Sequence, residues 1–139
     1  MRALALILTT LALVPFAARA QMGPTGLNGY IVNVDSHRPI AGASVEIYKI
    51  PVVNLTDPVH ILHTNSSGYF STIQLAPGRY IIMASALDAH AGCEISDLYE
   101  GVMTRVRIEI SRSGEHCVGK NVGNATVVPG QGNSVYIVH

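Results

Sequence analysis

The chain has 139 residues, with nine Lys and Arg residues balancing nine Asp and Glu residues, and it contains no tryptophan. This length favours one domain with one modest core. The charge balance argues against a nucleic-acid binder, because such proteins need clustered cations to displace counterions from phosphates.

The first element in chain order is a short basic start followed by the apolar stretch "ALALILTTLALVPFAA" and an A-x-A pattern. These features predict a secretory signal peptide over residues 1–20 and a mature domain over residues 21–139. Without Arg2 and Arg19, seven basic residues face nine acidic ones. We therefore expect a slightly acidic mature chain that is secreted or periplasmic, with no membrane span after cleavage.

Beyond residue 20 the apolar residues come in short runs separated by Gly, Pro, Asn, Asp and Ser, and no helical period of useful length is present. This spacing is typical of an all-β sandwich or barrel. The predicted strands are residues 29–34, 43–50, 60–64, 69–75, 78–87, 93–101, 102–111, 125–128 and 134–138. We expect the segment 93–101 to be a weak edge strand.

Two-residue alternation assigns side chains to faces within these strands. Val45 faces the same side as its second neighbour Ile47, whereas Tyr48 faces the other side. "VMTRVRIEIS" shows the clearest alternation, which is typical of a half-buried strand. Two prolines make residues 51–59 a loop or an irregular edge segment, and residues 88–92 are predicted to be a loop. We expect the last two strands to cover an edge of the sandwich.

The segments "GYIVNVDSHRPIAGASVEIYK" and "HTNSSGYFSTIQLAPGRYIIMAS" together resemble the carboxypeptidase regulatory-like domain, a small prealbumin-like or Ig-like β-sandwich. The resemblance covers residues 27–87, and it implies about seven to nine short strands. The matching residues are Gly29, Pro39, Ile40, Gly42, Ala43, Val45, Thr64, Gly68, Phe70, Leu75, Pro77, Gly78 and Tyr80.

The matching residues have structural explanations. Gly68 suits a turn position with positive φ, and Pro77 followed by Gly78 suits a tight turn. We expect both turns to close hairpins and to direct Phe70 and Tyr80 into the core, where Tyr80 needs a partner for its hydroxyl. The pattern therefore predicts the fold and carries little information on activity.

Two cysteines, Cys93 and Cys117, lie in the predicted mature chain. An even cysteine count in an exported protein favours a disulfide, although two buried or free thiols are the alternative. The sequence has no C-x-x-C spacing, so it suggests neither a thioredoxin-type redox site nor a zinc knuckle.

The sequence suggests no catalytic or metal site. His60 and His63 point to opposite faces of a strand, so they cannot share an ion without a bulge. No G-x-S-x-G nucleophile elbow occurs. We therefore expect a protein that is not an enzyme and that has no cofactor.

The remaining candidate residues concern binding and modification. Tyr48 and Tyr99 are the candidate ligand contacts, with a partly covered second sheet face as the alternative for Tyr48. Asn54, Asn65 and Asn124 begin N-x-S/T triplets and are candidate glycosylation sites if the source is a eukaryote.

These patterns predict an exported, non-catalytic β-sandwich module with a structural or protein-interaction role at the cell envelope or outside the cell. Its partner would be another extracytoplasmic protein or a cell-envelope polymer. A carbohydrate-binding module is the first alternative, and a metal-binding protein or a hydrolase accessory domain ranks lower.

Overall fold

The computed structural model describes residues 23–53, 55–87, 89–112, 117, 119–123, 125–129 and 135–139. The predicted signal peptide lies outside these residues, as do Asn54 and Asn124 of the predicted glycosylation triplets. The described residues form an all-β structure, which confirms the predicted fold class. Among them we find no helix with the length and apolar character that crossing a bilayer requires.

The described chain forms ten strands, one more than the upper end of the predicted range because residues 38–39 add a short bridge. Their bounds are β1 Gly26–Asn33, β2 Arg38–Pro39, β3 Ser44–Lys49, β4 His60–His63, β5 Tyr69–Ile73, β6 Gly78–Ala86, β7 Ala89–Leu98, β8 Met103–Ile110, β9 Thr126–Pro129 and β10 Val135–Val138.

Two four-stranded sheets make up the sandwich. In sheet A, β1 is central. Along one of its edges, β5 pairs antiparallel with the first residues of β1 and β2 pairs antiparallel with its last residues, whereas β8 pairs in parallel along the other edge. Gly29 permits this parallel contact, because a Cβ at that position would lie 2.2 Å from the carbonyl oxygen of Val106 in β8. Sheet B is antiparallel throughout, in the order β4-β3-β6-β7.

The main core lies between the two sheets, and alternation correctly predicts its members on β3 and β8. Phe70 and Tyr80 both point into it, as predicted, with 3% and 2% of their surface exposed. The hydroxyl of Tyr80 donates a hydrogen bond to the carbonyl oxygen of Ala76 at 2.6 Å. This bond satisfies the polar end of a buried ring.

The two predicted hairpin turns are corrected by the sheet topology. β4 and β6 belong to sheet B and β5 belongs to sheet A, so both turns carry the chain from one sheet to the other. Gly68 has the expected positive φ of 72°. The buried Thr64 fixes the first crossing, because its hydroxyl donates to the Ile40 carbonyl at 2.6 Å and accepts the Ala43 amide at 2.9 Å.

A third layer covers the outer face of sheet B. The β9–β10 hairpin and the segment before it pack there and form a second apolar cluster with β3, β6 and β7. The last two strands thus cover a face of the sandwich, whereas an edge was predicted. The buried members of this cluster are Tyr48, Val52, Ile81, Met83, Ala91, Cys93, Cys117, Val122, Ala125 and Val127.

Strand β7 is longer than its sequence suggests, and it is an edge strand of sheet B, as predicted. Residues 89–92 were predicted to be a loop, but they belong to a ten-residue strand paired with β6. Small residues explain the error, because they give no alternation signal and yet allow close packing. A Cβ at Gly92 would lie 2.5 Å from the Glu109 carbonyl oxygen, so β7 passes directly against β8 there.

Candidate recognition sites

The outer face of sheet A, which we call the open face, contributes no residue to either apolar cluster of the described chain. Strand alternation and register bring its side chains together in rows across the sheet. We define the open face as Asn28, Tyr30, Val32, Tyr69, Ser71, Ile73, Met103, Arg105, Arg107 and Glu109.

The central row of the open face combines aromatic and cationic groups. Tyr30 lies opposite Tyr69 of β5 on one side and opposite Arg107 of β8 on the other. The two rings are 5.3 Å apart between centroids and tilted by 56°, an arrangement favourable for aromatic pairs. Tyr30 keeps 40% of its surface exposed.

The neighbouring row is polar and places Asn28 between Ser71 and Arg105. Oδ1 of Asn28 is shielded from solvent and has no hydrogen-bond partner among the described residues. Within the described chain, the open face has one ion pair, an exposed contact of 3.5 Å between Nε of Arg107 and Oε1 of Glu109. Such an exposed pair contributes little to stability, so Arg107 can exchange it for another acceptor.

A second candidate site is a pocket of about 210 Å³ beside the irregular segment 51–59, whose described residues form a loop as predicted. Tyr48 and Val52 contribute buried surface to it, and the exposed residues Lys49 and Asp57 also line it. A third concavity, of about 320 Å³, lies at one end of the sandwich near the exposed Leu87.

The two predicted ligand tyrosines differ in accessibility. Tyr99 is 64% exposed in the turn before β8, whereas Tyr48 is only 2% exposed because the third layer covers it. The Tyr48 hydroxyl lies beside the carboxylate of Glu46 and 2.9 Å from the Leu55 carbonyl oxygen. Burial, reinforced by this carboxylate, raises the pKa of Tyr48 far above its ordinary value. The covered ring therefore cannot serve as a surface platform.

The structure brings the two predicted disulfide cysteines together. Cys93 of β7 and Cys117 are joined as a disulfide, with Cα atoms 4.9 Å apart. Both cysteines are buried in the second cluster. The bond therefore ties the third layer to sheet B.

The predicted histidines and the glycosylation candidate are also placed. His60 lies in sheet B and points toward sheet A, where its Nδ1 forms a 3.2 Å hydrogen bond with the Thr72 hydroxyl. His63 is exposed on the other side of β4. The described residues hold no group of three or more His, Cys, Asp or Glu side chains able to bind a metal. Asn65 is exposed in its turn, and its side-chain oxygen accepts the amides of Ser67 and Tyr69.

An ion pair at one end of sheet B joins two strands. The guanidinium of Arg79 donates to the carboxylate of Asp97 through two nitrogens, at 2.9 and 3.3 Å. These hydrogen bonds hold the pKa of Asp97 below its usual range. Both side chains are substantially exposed, so the ion pair holds the two side chains against each other but adds little to folding stability.

Sequence comparison identifies no family for this chain: no family model matches it, and no curated protein matches it. Structural comparison finds similar chains at low identity. A 5-hydroxyisourate hydrolase from Klebsiella pneumoniae has 18% identity and a TM-score of 0.49, over 65% of this chain and 92% of the hydrolase.

Two other similar structures are longer than the matched region. A 3-chlorocatechol 1,2-dioxygenase from Rhodococcus opacus has 10% identity and a TM-score of 0.46, over 64% of this chain and 60% of the dioxygenase. The group B streptococcus pilus 2b backbone protein has 10% identity and a TM-score of 0.47, over 63% of this chain and 41% of the pilus protein.

These comparisons correct the prediction that the protein is not an enzyme. A β-sandwich fold does not by itself decide whether a protein is an enzyme, and two of these three chains are enzymes by name. At identities of 10% and 18% the likeness concerns the fold alone, and it transfers no activity or substrate to this chain. The resemblance to the carboxypeptidase regulatory-like family likewise extends only to a β-sandwich.

Proposed function

We propose that the protein is an exported interaction module, related to carboxypeptidase regulatory-like domains, that binds another extracytoplasmic protein through its open face. One observation carries this proposal: the two outer faces of the sandwich differ in how much of their surface is buried by other parts of the chain. The third layer buries the outer face of sheet B, whereas the open face keeps Tyr30, Arg105 and Arg107 accessible.

The composition of the open face supports a protein partner. Protein interfaces are enriched in Tyr, Met and Arg and depleted in Lys, and Tyr and Arg are frequent among the residues that dominate binding energy. The open face contains two tyrosines, two arginines and a methionine, and it has no lysine. With two arginines and one glutamate, it favours a partner that presents carboxylates.

The dimensions of the open face limit the affinity. Three strands about 4.8 Å apart and eight residues long give a face of about 400 Å². Standard interfaces bury about 800 Å² on each partner. We therefore expect a weak, exchangeable complex unless neighbouring loops extend the contact.

Export is supported by two features of different kinds. The N-terminal pattern is that of a signal peptide, and the Cys93–Cys117 disulfide suits an oxidising compartment. Together they favour a partner that is also extracytoplasmic.

Affinity capture with matched variants tests this proposal. The wild-type domain and the double variant Tyr30→Ala, Arg107→Ala are immobilised and exposed to a native envelope and extracellular extract. The control variant, Tyr99→Ala with Arg79→Ala, removes the same residue types away from the open face. We expect a protein retained by the wild type and the control but lost from the first variant. Equal retention by both variants would contradict the proposal.

Glycan binding is the alternative that the same variants distinguish. The burial of Tyr48 removes one of its two predicted contacts. On immobilised polysaccharides, retention that depends on Tyr99 and is unaffected by Tyr30→Ala would favour the glycan alternative over the open face.

A further inference from the structure

We propose that the protein forms a symmetric dimer in which the β5 edge of sheet A pairs with the same edge of a second copy. The dimer places two open faces side by side and enlarges this surface from about 400 to about 800 Å², the area that a standard interface buries on each partner. Self-pairing is a property of this chain alone, so the inference goes beyond the proposed protein partner and does not depend on it.

The outer edge of β5 presents main-chain groups that have no partner in the described part of the chain. The Ile31 amide donates to the Gly68 carbonyl at 2.9 Å, in the register that pairs β1 with β5. Because hydrogen-bonded positions alternate along an antiparallel pair, Thr72 also bonds to β1. Ser71 and Ile73 therefore direct their amide and carbonyl groups away from β1, toward the edge of the sheet.

This free edge is short and is bounded at both ends. At its start, the Asn65 amide donates to the Tyr69 carbonyl at 2.9 Å, and the Asn65 side-chain oxygen accepts the Tyr69 amide at 3.1 Å. At its end, Gln74 has a positive φ of 66°, and the next amide, that of Leu75, donates to the Thr25 carbonyl at 3.3 Å. The chain thus turns back toward the start of β1, and the last three residues of β5 form the free edge.

A second copy satisfies this edge in one register. With a two-fold axis at Thr72, Ser71 of each copy lies opposite Ile73 of the other, and the two residues exchange both amide-to-carbonyl hydrogen bonds. Thr72 meets the Thr72 of the other copy, and threonine pairs across strands are favourable. The bend at Gln74 turns each chain away before it reaches the Asn65 turn of the other copy. Paired residues lie on the same side of a sheet, so both open faces point in one direction.

The β5 edge lacks the features that protect the other side of the sandwich. Its sequence, YFSTI, has no charged residue and no proline, the residues that commonly prevent pairing at sheet edges. On the other side, β7 covers the β8 edge so closely that a Cβ at Gly92 would lie 2.5 Å from the Glu109 carbonyl oxygen. Because β5 is uncharged, a two-fold axis brings no like charges together on this strand.

Hydrogen exchange combined with sedimentation equilibrium tests the pairing in the purified, oxidised, ¹⁵N-labelled protein. The Ser71 and Ile73 amides have no acceptor among the residues that the structure describes, so strong protection requires another chain. We expect a dimer at high micromolar concentration, with both amides protected there and exchanging freely after dilution to the monomer. A monomer at millimolar concentration, or a dimer in which both amides exchange freely, would overturn the inference.

Charged residues at the same two positions test the register. Ser71→Lys with Ile73→Lys places like charges opposite each other across the axis, whereas Ser71→Lys with Ile73→Glu places opposite charges there. We expect the first dimer to be about tenfold weaker than the second. Tyr136→Lys with Val138→Lys adds two charges to the exposed side of β10 and should leave the dimer unchanged. The spectra report whether each variant is folded, and equal dimerisation of the two edge variants would contradict the register.

The dimer and the proposed protein partner fail in different experiments. A purified dimer that captures no protein from the extract would contradict the proposed function alone. A monomer that captures a protein through Tyr30 and Arg107 would overturn the dimer alone. Protection of the Ser71 and Ile73 amides that appears only after extract is added would assign the edge to a strand of the partner and would overturn self-pairing.

Discussion

The disulfide between Cys93 and Cys117 should contribute strongly to stability, because it anchors the third layer on sheet B. The cysteines are separated by 24 residues. For a loop of this length the chain-entropy model gives about 3.5 kcal/mol of stabilisation at 25 °C. For a domain of this size, that loss corresponds to a decrease in Tm of about 10–15 °C.

The perturbation is the double substitution Cys93→Ala, Cys117→Ala, or reduction of the wild type. Urea unfolding followed by far-UV circular dichroism measures the loss of free energy, and the variant itself, treated with the same reductant, is the control. Hydrogen exchange should locate the effect at the third layer, for example at the Val127 amide, which bonds to the Lys120 carbonyl at 3.0 Å.

An unchanged urea midpoint after reduction, with the mass gain of two hydrogens confirming that the bond was broken, would refute this reasoning. Free thiols in protein isolated from its native compartment would also contradict the predicted oxidation.

Three further predictions concern packing and pH. Gly29→Ala should destabilise the domain by about 1–3 kcal/mol in urea unfolding, because its Cβ would overlap a backbone oxygen of β8, whereas Gly23→Ala, with its nearest neighbour at 3.4 Å, should have little effect. Because burial raises the pKa of Tyr48, stability should be retained below about pH 10 and fall as the pH rises above it, and Tyr48→Phe should flatten that decline in urea midpoints. Because Arg79 lowers the pKa of Asp97, the Asp97 carboxylate should contribute to folding stability above its unfolded pKa. This contribution should be lost as the pH falls through the folded pKa. Arg79→Ala should raise the pKa of Asp97 measured by NMR titration.

The sandwich core was largely predictable because its signals are local. Alternation in β3 and β8 places Val45 and Ile108 in the core, and the turn residue Gly68 has its predicted positive φ. The first residues of β7 were not predicted to be a strand. Ala89 and Gly92 are small enough to pack closely, but small residues leave no alternating pattern in the sequence.

The recognition sites depend on contacts between distant parts of the chain, which a single sequence does not reveal. Tyr48 was a candidate surface contact with a covered sheet face as the alternative, and the alternative is correct, because the C-terminal hairpin packs over sheet B. Tyr30 and Tyr69 meet only through the pairing of β1 with β5, and Arg107 joins them through the parallel pairing with β8. The pocket segment 51–59 was recognisable as irregular from its prolines, but its lining was not.

Site-specific photo-crosslinking most directly tests whether the open face is the recognition surface. A photoreactive phenylalanine analogue replaces Ser71, which is exposed on the open face, or Leu87, which is 97% exposed in a turn outside that face. In the native extracytoplasmic extract we expect a defined protein adduct from position 71 and none from position 87. An adduct from position 87 alone, or equal adducts from both positions, would contradict the proposed surface.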